Sequence, residues 1–503
     1  MASAKGKLFS KDGGKRLSLE IEKNVKNFSA KLAGGPTTVD EISFKGTLNH
    51  TAQGEALKSS LILTGIKLSG VSGSPLQLAL DLDAAVSNKV AELRQCNLKL
   101  SPTPRAKNEL ALTGQVNLAN AEALTGHLKL AAESLDLTGY YDLFAAQSTA
   151  TNTTSAPVTA TKPGPNQEPA PVKLPMNNFT LEATIGRLYL HEVDAANFQT
   201  TLLLDGSHVL LKPFQLTLNN APVSATADLD LSAPGYKYAL AFSADGVPVE
   251  PLANTFSRTY RGQAKGMLIA KLDLKGAGVT GRNLRTNLLG TVDLNFTNAN
   301  IQITRSKWND VLVPVSVLLM SFGVPDLMSS PLDHVTASLR AGEGQIAIPS
   351  FVAQSPLFRA DSTGTIPIAD VLTDSPLNQP VEISLARDVA AKLGLANVPT
   401  NEPYAKLPAF VHLNGTLGKP GSKTDKSKLG SLVATGIGTA ILKNVGGEAG
   451  QKAGGALNTL GQLLGGKPAT TNAVPDASGT NAAAGTNPPP KSSLRDALRN
   501  LTK

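Results

Sequence analysis

Alternation of leucine with polar side chains is the feature that most constrains this chain. In the stretch LQLALDL, Leu76, Leu78, Leu80 and Leu82 occupy every second position. Because successive side chains of a β-strand point to opposite faces, this period predicts a strand with one aliphatic face and one polar face. The same alternation recurs in RLSLEI, ELALTGQVNL, FQLTL, SATADLDL and YKYALAF. The sequence therefore predicts a mainly β protein built from many similar strands.

The length and composition argue against an ordinary compact enzyme. A chain of 503 residues is too long for one compact core and indicates two to four domains or one elongated, repetitive body. Aromatic residues make up only 4% of the chain and charged residues 17%, where soluble domains usually have about 25% charged residues.

Few residues are available for catalysis or metal binding. The single cysteine, Cys96, excludes an internal disulfide and every cysteine-based metal site. The only tight group of histidine and carboxylates is HEVD, with His191, Glu192 and Asp194, and it lacks the HExxH spacing of zinc proteases. We therefore predict a protein that is not an enzyme, with no catalytic residue, metal or cofactor. The alternative is a hydrolase built on His191 and its acidic neighbours.

Glycine recurs at one place in the alternating pattern, in FKGTLN, LTGQVNL, LTGHLKL, LLGTVDL, STGTIPI and LNGTLGKP. We interpret these glycines as positions where a strand bends or packs closely against its neighbour. The motif GAGVTG, residues 276–281, formally matches a dinucleotide fingerprint, which requires a turn from strand to helix. Because the residues after it read as more strand, we predict a hairpin turn there.

The pattern divides the chain into six segments. They are a first β block (1–147), a flexible linker (148–171), a second β block with inserted helices (172–422), a Gly/Ala-rich helical segment (423–466), a disordered linker (467–490) and a short amphipathic helix (491–503).

Three helices are predicted within the second β block, at Val249–Gly262, Ser306–Met328 and Ala386–Asn397. The opening MASAKGKLFSKDGGKRL has no apolar segment typical of a signal peptide, so we expect either a cytosolic protein or a sequence that begins after such a segment. The longest uncharged apolar stretch, Val311–Pro325, is shorter than the about 20 residues that a transmembrane helix needs. We therefore predict no transmembrane helix in this chain.

A continuous aliphatic face needs a cover, and the predicted helices are too few to provide it. One interpretation is therefore a leucine-rich wall that stays partly open, for which the natural partner is a lipid acyl chain. The alternative is a set of ordinary sandwich or barrel domains whose leucines meet each other. The predicted groove lining consists of Leu76, Leu78, Leu80, Leu82, Leu112, Val116, Leu118, Leu128, Leu130, Leu216, Leu218, Leu229, Leu231, Leu272, Leu274, Val292 and Leu294.

The run from Val249 to Gly421 resembles the C-terminal region of the bacterial AsmA family. The residues that carry the resemblance are VEPLANTFSRTYRGQAKGMLIAKLDLKGAGVTGRNLRTNLLGTVDLNFTNANI, GEGQIAIPSFVAQSPLFRADSTGTIPIAD and the closing FVHLNGTLGKPGSKTD. The earlier ALTGQVNLANAEALTGHLKLAAESLDLTGYYDLF is similar in style to the middle strands of the family.

The resemblance implies a periplasmic protein of the bacterial cell envelope, grouped with TamB and YhdP and related in architecture to bridge-like lipid-transfer proteins. It implies an elongated, curved antiparallel sheet that forms an apolar groove for phospholipids. It also implies an N-terminal inner-membrane anchor, which we do not expect within the given sequence. The implied role is phospholipid transport or outer-membrane homeostasis, together with further envelope proteins as partners. The competing hypothesis is a structural or adhesive β protein with closed sheets, tethered to the membrane by a basic tail.

The net charge of +8 is unevenly distributed along the chain. Residues 423–503 contain ten Lys or Arg and four Asp or Glu, a net charge of +6, which leaves +2 for residues 1–422. No run of basic residues with interleaved aromatics appears on the β blocks, so we predict no nucleic-acid partner. The C-terminal tail is instead expected to contact an anionic membrane surface.

Overall fold

The computed structural model describes residues 2–32, 35–68, 75–142, 164, 167–257, 260–301, 330–392, 402–425 and 427–428. The chain divides into two compact units, Met1–Ala456 and Leu457–Lys503. All of the described residues belong to the first unit.

The predicted β class is confirmed, because the described part of the chain forms one long, open, curved sheet of 22 strands. The strands up to the middle of the chain are β1 (Ala2–Lys11), β2 (Arg16–Leu32), β3 (Gly35–Thr51), β4 (Gly54–Leu68), β5 (Leu76–Ser87), β6 (Val90–Leu100), β7 (Glu109–Asn117), β8 (Leu124–Asp136), β9 (Met176–Leu190), β10 (Val193–Asp205) and β11 (His208–Leu218). The remaining strands are β12 (Ala221–Asp230), β13 (Lys237–Pro248), β14 (Met267–Ala277), β15 (Leu289–Ile301), β16 (Leu332–Gly342), β17 (Gln345–Gln354), β18 (Phe358–Pro367), β19 (Gln379–Ala386), β20 (Tyr404–Lys406), β21 (Val411–Gly415) and β22 (Pro420–Thr424).

The strands follow one another across the sheet in chain order. Neighbours pair antiparallel from β1 to β8 and again from β9 to β19. The last edge is formed by β20 and β21, which both pair with β19, and by β22, which pairs with β21. Such local, sequential pairing is what a chain of alternating strands with short turns favours.

One junction in the sheet is parallel. β8 and β9 run in the same direction, with Leu128 opposite Leu181 and Leu130 opposite Ala183. The two predicted β blocks therefore share one sheet, although their division as domains stays a prediction. The connection between two parallel neighbours has to return to the opposite end of the strands, and it contains most of the predicted linker.

The register places the apolar positions of neighbouring strands opposite one another. Leu80 in β5 lies opposite Leu61 in β4 and Leu98 in β6. In the second half of the sheet, Leu272 in β14 lies opposite Val292 in β15. Because directly opposed residues project from the same side of a sheet, these side chains share one face. We call it the leucine face and its opposite the polar face.

Short helices lie at the ends of several strands, and one of them covers residues 138–142 after β8. α1 (Val249–Phe256) follows β13, α2 (Gly281–Asn287) follows β14 and α3 (Arg387–Lys392) follows β19. The pairing order puts α1 and α3 at one end of the strands, which we call the α1 margin. The β1–β2 turn at Asp12–Gly14 and α2 lie at the other end, the hairpin margin.

The predicted hairpin turn at GAGVTG is wrong. β14 ends at Ala277, and residues Gly281–Asn287 form α2 before β15 begins. The carboxylate of Glu168 accepts hydrogen bonds from the backbone N–H groups of Val279 and Thr280, at 2.8 and 3.0 Å, and from the Asn283 side chain. These bonds satisfy donors that a helix start leaves unpaired. The helix depends on a residue more than 100 positions earlier, which a local pattern does not reveal.

The other helix predictions have mixed outcomes. The first is confirmed from Val249 but ends at Phe256, and the third is confirmed at Arg387–Lys392. The predicted helix over Ser306–Met328 lies outside the described residues. So does the tail from 429 onward, which contains most of the segments predicted over residues 423–503.

Candidate functional site

The structure places 15 of the 17 predicted lining residues on the leucine face. The register assigns this face to Leu76, Leu78, Leu80, Leu82, Leu112, Val116, Leu128, Leu130, Leu216, Leu218, Leu229, Leu272, Leu274, Val292 and Leu294. Leu118 and Leu231 follow the last residues of β7 and β12, beyond the paired register. The alternation thus predicted the common face, while contact of these residues with lipid stays a prediction.

Over most of the sheet, the leucine face is accessible rather than buried as a core. Leu48, Phe242 and Leu294 are 39%, 38% and 39% exposed, although all three point to this face. Ile21 in β2 is 42% exposed. Apolar side chains in the middle of a closed sandwich would be almost fully buried. In the described part of the chain, the face is therefore an apolar surface open to a ligand.

The polar face has the composition of a solvated surface. Lys58 and Asp83 lie on it, and their Nζ and Oδ2 atoms are 3.0 Å apart. Lys271 and Asp273 alternate with the leucines of β14 and also project from this side. Two large apolar side chains, Ile62 and Leu203, are exposed on this face at 43% and 38%. The two faces of one sheet thus differ strongly in chemistry.

Helix α1 packs near the margin of the leucine face. Leu252 of α1 packs against a buried cluster from β12, β13 and β14 that includes Val223, Ala244, Val247 and Ala270. The small side chains of this cluster let the helix approach the sheet closely. The helix therefore closes the side of the face at the α1 margin.

The leucine face becomes a packed core at the C-terminal strands. Phe358 in β18 is 1% exposed, and Ile383 and Leu385 in β19 are 1% and 0% exposed. Phe410 and Val411, at the start of β21, are buried to the same degree. The accessible part of the face therefore ends before this cluster, so the groove is open towards β1 and filled towards β21.

Polar clamps hold both ends of the connection between β8 and β9. At the α1 margin, Asp136 accepts hydrogen bonds from Arg105 at 2.8 and 3.2 Å. Burial alone would raise the pKa of Asp136, but bonds donated by Arg105 and Thr138 outweigh it and lower that pKa to about 2. Glu168 lies where the connection returns. Burial alone would raise the pKa of Glu168, but the hydrogen bonds that it accepts, first among them those from Thr280, outweigh burial and lower that pKa.

The connection returns along the hairpin margin by backbone hydrogen bonds. The amide of Val172 donates to Leu231, and the amide of Leu174 donates to Gly206, both at 3.0 Å. Pro169 accepts a bond from Gly235 at 2.9 Å. This margin is therefore bordered by ordered chain between β14 and β9.

The group HEVD is dispersed over separate partners. His191 Nε2 lies 2.9 Å from Asp142 Oδ1, while Asp194 pairs with Arg187 at 2.6 Å. Glu192 accepts a hydrogen bond from the Asn254 side chain. Among the residues that the structure describes, no group of three or more His, Cys, Asp or Glu side chains could hold a metal ion. Only Glu192 contacts α1, and the three side chains have separate partners rather than converging on a pocket.

The described part of the chain belongs to the class of mainly β proteins with one long, open, curved sheet, here with one polar face and one largely accessible apolar face. The model of the AsmA family matches residues 28–311, which is more than half of the chain. The chain belongs to the AsmA family. Members of this family are associated with the bacterial envelope and are generally non-enzymatic proteins of lipid transport.

The family match lies earlier in the chain than the resemblance quoted above. It overlaps the run from Val249 to Gly421 only up to residue 311, and before that run it covers the end of β2 and the strands β3 to β13. No curated protein and no solved structure matches the chain. No helix of the described residues is long and apolar enough to cross a bilayer.

Several functional features were missed by sequence reasoning. β1 contains only one apolar pair, Leu8 and Phe9, so its alternation is too weak to reveal a strand. The filled C-terminal end has no distinct signal either, because its apolar residues alternate like those of the open strands. The clamp residues Asp136 and Glu168 act through partners that are distant in sequence.

Proposed function

We propose that this protein is a non-enzymatic envelope protein that binds or conducts phospholipid acyl chains along its leucine face. The observation that carries this proposal is one apolar face that is accessible over most of the sheet from β2 to β17, apart from the part that packs against α1, with a polar face behind it. An acyl chain gains free energy at about 25 cal/mol per Å² of apolar surface removed from water. The sheet offers such surface without a second protein layer among the described residues.

The dimensions suit several lipids. About 15 strand steps of about 4.8 Å from β2 to β17 give the accessible face a length of roughly 70 Å. The acyl chains of one leaflet span about 15 Å, half of a roughly 30 Å hydrocarbon core. Strands of nine or more residues at about 3.4 Å per residue are wide enough to cover such chains. The groove can therefore hold a row of phospholipids, with headgroups at its open side.

Members of the AsmA family are associated with the bacterial envelope, which supports our proposal that this protein is located in the periplasm. A groove of this length would need membrane or protein partners at its ends to connect two membranes. The predicted contact of residues 423–503 with an anionic membrane surface, and the inner-membrane anchor that the family implies, remain proposals. Support of outer-membrane homeostasis would follow from lipid delivery.

The test compares two matched double variants of the full chain. Leu48→Asn with Leu294→Asn changes the leucine face, whereas Ile62→Asn with Leu203→Asn changes apolar side chains of similar exposure on the polar face. Bound phospholipid is quantified by mass spectrometry after native purification, and uptake of a fluorescent short-chain phospholipid is measured in solution. We expect the first variant to lose most of its bound lipid, because polar amides oppose contact with acyl chains.

The control variant should retain the lipid content and uptake of the unmodified protein. Equal loss in both variants, or an unmodified protein that carries no phospholipid and takes up none, would refute the proposed function. An unmodified protein without bound phospholipid or uptake would instead favour the competing hypothesis of a structural or adhesive β protein.

A further inference from the structure

The two ends of the leucine face differ in what they offer a membrane. At the C-terminal end, the apolar side chains of β18, β19 and β21 are used in a packed core, with Phe358 and Val411 at most 1% exposed. At the N-terminal end, every residue of β1 is exposed. Lipid that enters from the end of the sheet therefore has an accessible apolar surface only at the β1–β2 hairpin.

The β1–β2 hairpin exposes large apolar side chains near its turn. Leu8 and Phe9 are 69% and 47% exposed, and Leu17, just after the turn, is 36% exposed. Leu8 and Leu17 project from the leucine face, since Leu8 lies opposite Leu19 and Ser10 opposite Leu17. The leucine face therefore continues to β1, the edge strand among the described residues, where it is still exposed.

The same hairpin has a net positive charge, whereas the rest of the sequence up to residue 422 has a net negative charge. Residues 2–32 contain eight Lys or Arg and three Asp or Glu, a net charge of +5. Residues 33–422 contain 29 Lys or Arg and 32 Asp or Glu, a net charge of −3. Lys11, Lys15 and Arg16 flank the turn directly. The charge is therefore concentrated at the open end of the face rather than spread over it.

Exposed apolar side chains next to lysines are the combination that binds the headgroup region of an anionic bilayer. The apolar groups enter the interface, while the lysines are attracted to anionic lipids. Lysines on an edge strand also discourage pairing with another sheet, but that role does not require exposed leucine and phenylalanine side chains.

We propose that the β1–β2 hairpin docks on an anionic bilayer and is the end at which phospholipid enters or leaves the leucine face. The docking follows from the charge and exposure of the hairpin, whereas the exchange of lipid there rests on the proposed function. The occupant of this surface is the anionic membrane itself.

The first test uses two charge-matched variants of the full chain. Lys5, Lys7, Lys11 and Lys15 are replaced by glutamine in the hairpin variant, and Lys99, Lys129, Lys271 and Lys275 in the control. Both are sedimented with phosphatidylcholine vesicles that contain phosphatidylglycerol, at low and high salt. We expect the hairpin variant to bind these vesicles at least about tenfold more weakly, because each lysine near an anionic surface contributes about 1 kcal/mol.

The control variant should bind as the unmodified protein does, and pure phosphatidylcholine vesicles should not distinguish the three proteins. Equal binding by the hairpin variant and the control would overturn the proposal. So would self-association of the hairpin variant without loss of vesicle binding, since that result would assign the lysines to protection of the sheet edge.

The second test maps which end touches the vesicle. Cys96 is the single cysteine, so a Cys96→Ser background allows one environment-sensitive dye at Phe9→Cys or at Lys419→Cys in the β21–β22 turn. We expect a blue shift on anionic vesicles at position 9 and none at position 419. A shift at position 419 alone, or equal shifts at both positions, would contradict docking by the hairpin.

Uptake of a soluble short-chain fluorescent phospholipid, without vesicles, distinguishes failure of the proposed lipid binding from failure of the proposed membrane docking. If the proposed function holds, the hairpin variant takes up this lipid as well as the unmodified protein. If no variant takes it up while the hairpin still determines vesicle binding, the groove function fails and the docking surface stands.

Discussion

Asp136 is the residue whose protonation matters most for the junction between β8 and β9. Its side chain is 7% exposed and accepts bonds from Arg105, which in turn donates to the Thr138 hydroxyl and to the carbonyl of His191. Asn108, fully buried, holds the amide of Asp136 from the loop before β7. These contacts fasten the loop between β6 and β7 to the ends of β8 and β9.

Replacing Asp136 with asparagine should destabilise the protein in a pH-dependent manner. The pKa of Asp136 is about 2 in the folded protein and about 3.9 in an unfolded chain. The ionised carboxylate therefore stabilises the fold above pH 4, and this contribution is lost as pH falls towards 2. We expect Asp136→Asn to lower the free energy of unfolding by about 2 kcal/mol at pH 7.

Urea denaturation followed by circular dichroism at several pH values checks this prediction. The difference from the unmodified protein should shrink as pH is lowered below 4. An exposed carboxylate variant, Asp273→Asn, serves as the control and should change little. If the loss in free energy of unfolding caused by Asp136→Asn were constant from pH 7 to pH 3, the proposed coupling between ionisation of Asp136 and stability would be contradicted.

At the scale of strands, some of the recurring glycines mark close contacts between neighbours. Gly290 in β15 has φ near +145°, and a Cβ atom there would lie 2.0 Å from the carbonyl oxygen of Asp273 in β14. Gly114 in β7 has the same relation to His127 in β8. The interpretation of these two glycines as close-packing positions is therefore confirmed. At these two positions the recurring glycine motif marks a close approach of adjacent strands.

Gly290→Ala should weaken the pairing of β14 with β15. The added methyl group has no room beside a backbone carbonyl, so we expect a loss of about 2 kcal/mol or more in the free energy of unfolding. Gly342→Ala in the adjacent β16 is the matched control, because the nearest atom to its Cβ is a leucine methyl group 3.5 Å away. Hydrogen exchange of the β14 and β15 amides measures the effect, and equal protection in the two variants would contradict it.

The strands could be predicted from the sequence, whereas helix α2 and one strand pairing could not. The period of two revealed the strands and their leucine face because each strand carries its own alternation. The helix α2 and the parallel pairing of β8 with β9 were not predicted, since both depend on contacts across long sequence separations, such as those of Glu168 with Thr280. Local patterns contain no information about such partners.

At the scale of the whole molecule, the sheet combines an accessible groove with one filled end. The length of the groove follows from the number of alternating strands, which the sequence pattern indicated well. The filled end did not follow from it, because Ile383 and Leu385 alternate with polar residues in the same way as Leu272 and Leu274. Burial was therefore decided by tertiary packing rather than by pattern.

Photocrosslinking to lipid tests the central claim most directly. A photoreactive amino acid replaces Leu80 or Leu272 on the leucine face, Ala79 or Lys271 on the polar face, and Leu385 in the filled end, and the full chain is irradiated in cells. The account predicts phospholipid adducts, identified by mass spectrometry, at positions 80 and 272 and none at 79, 271 or 385. Adducts of equal yield on both faces, or none at positions 80 and 272, would contradict it.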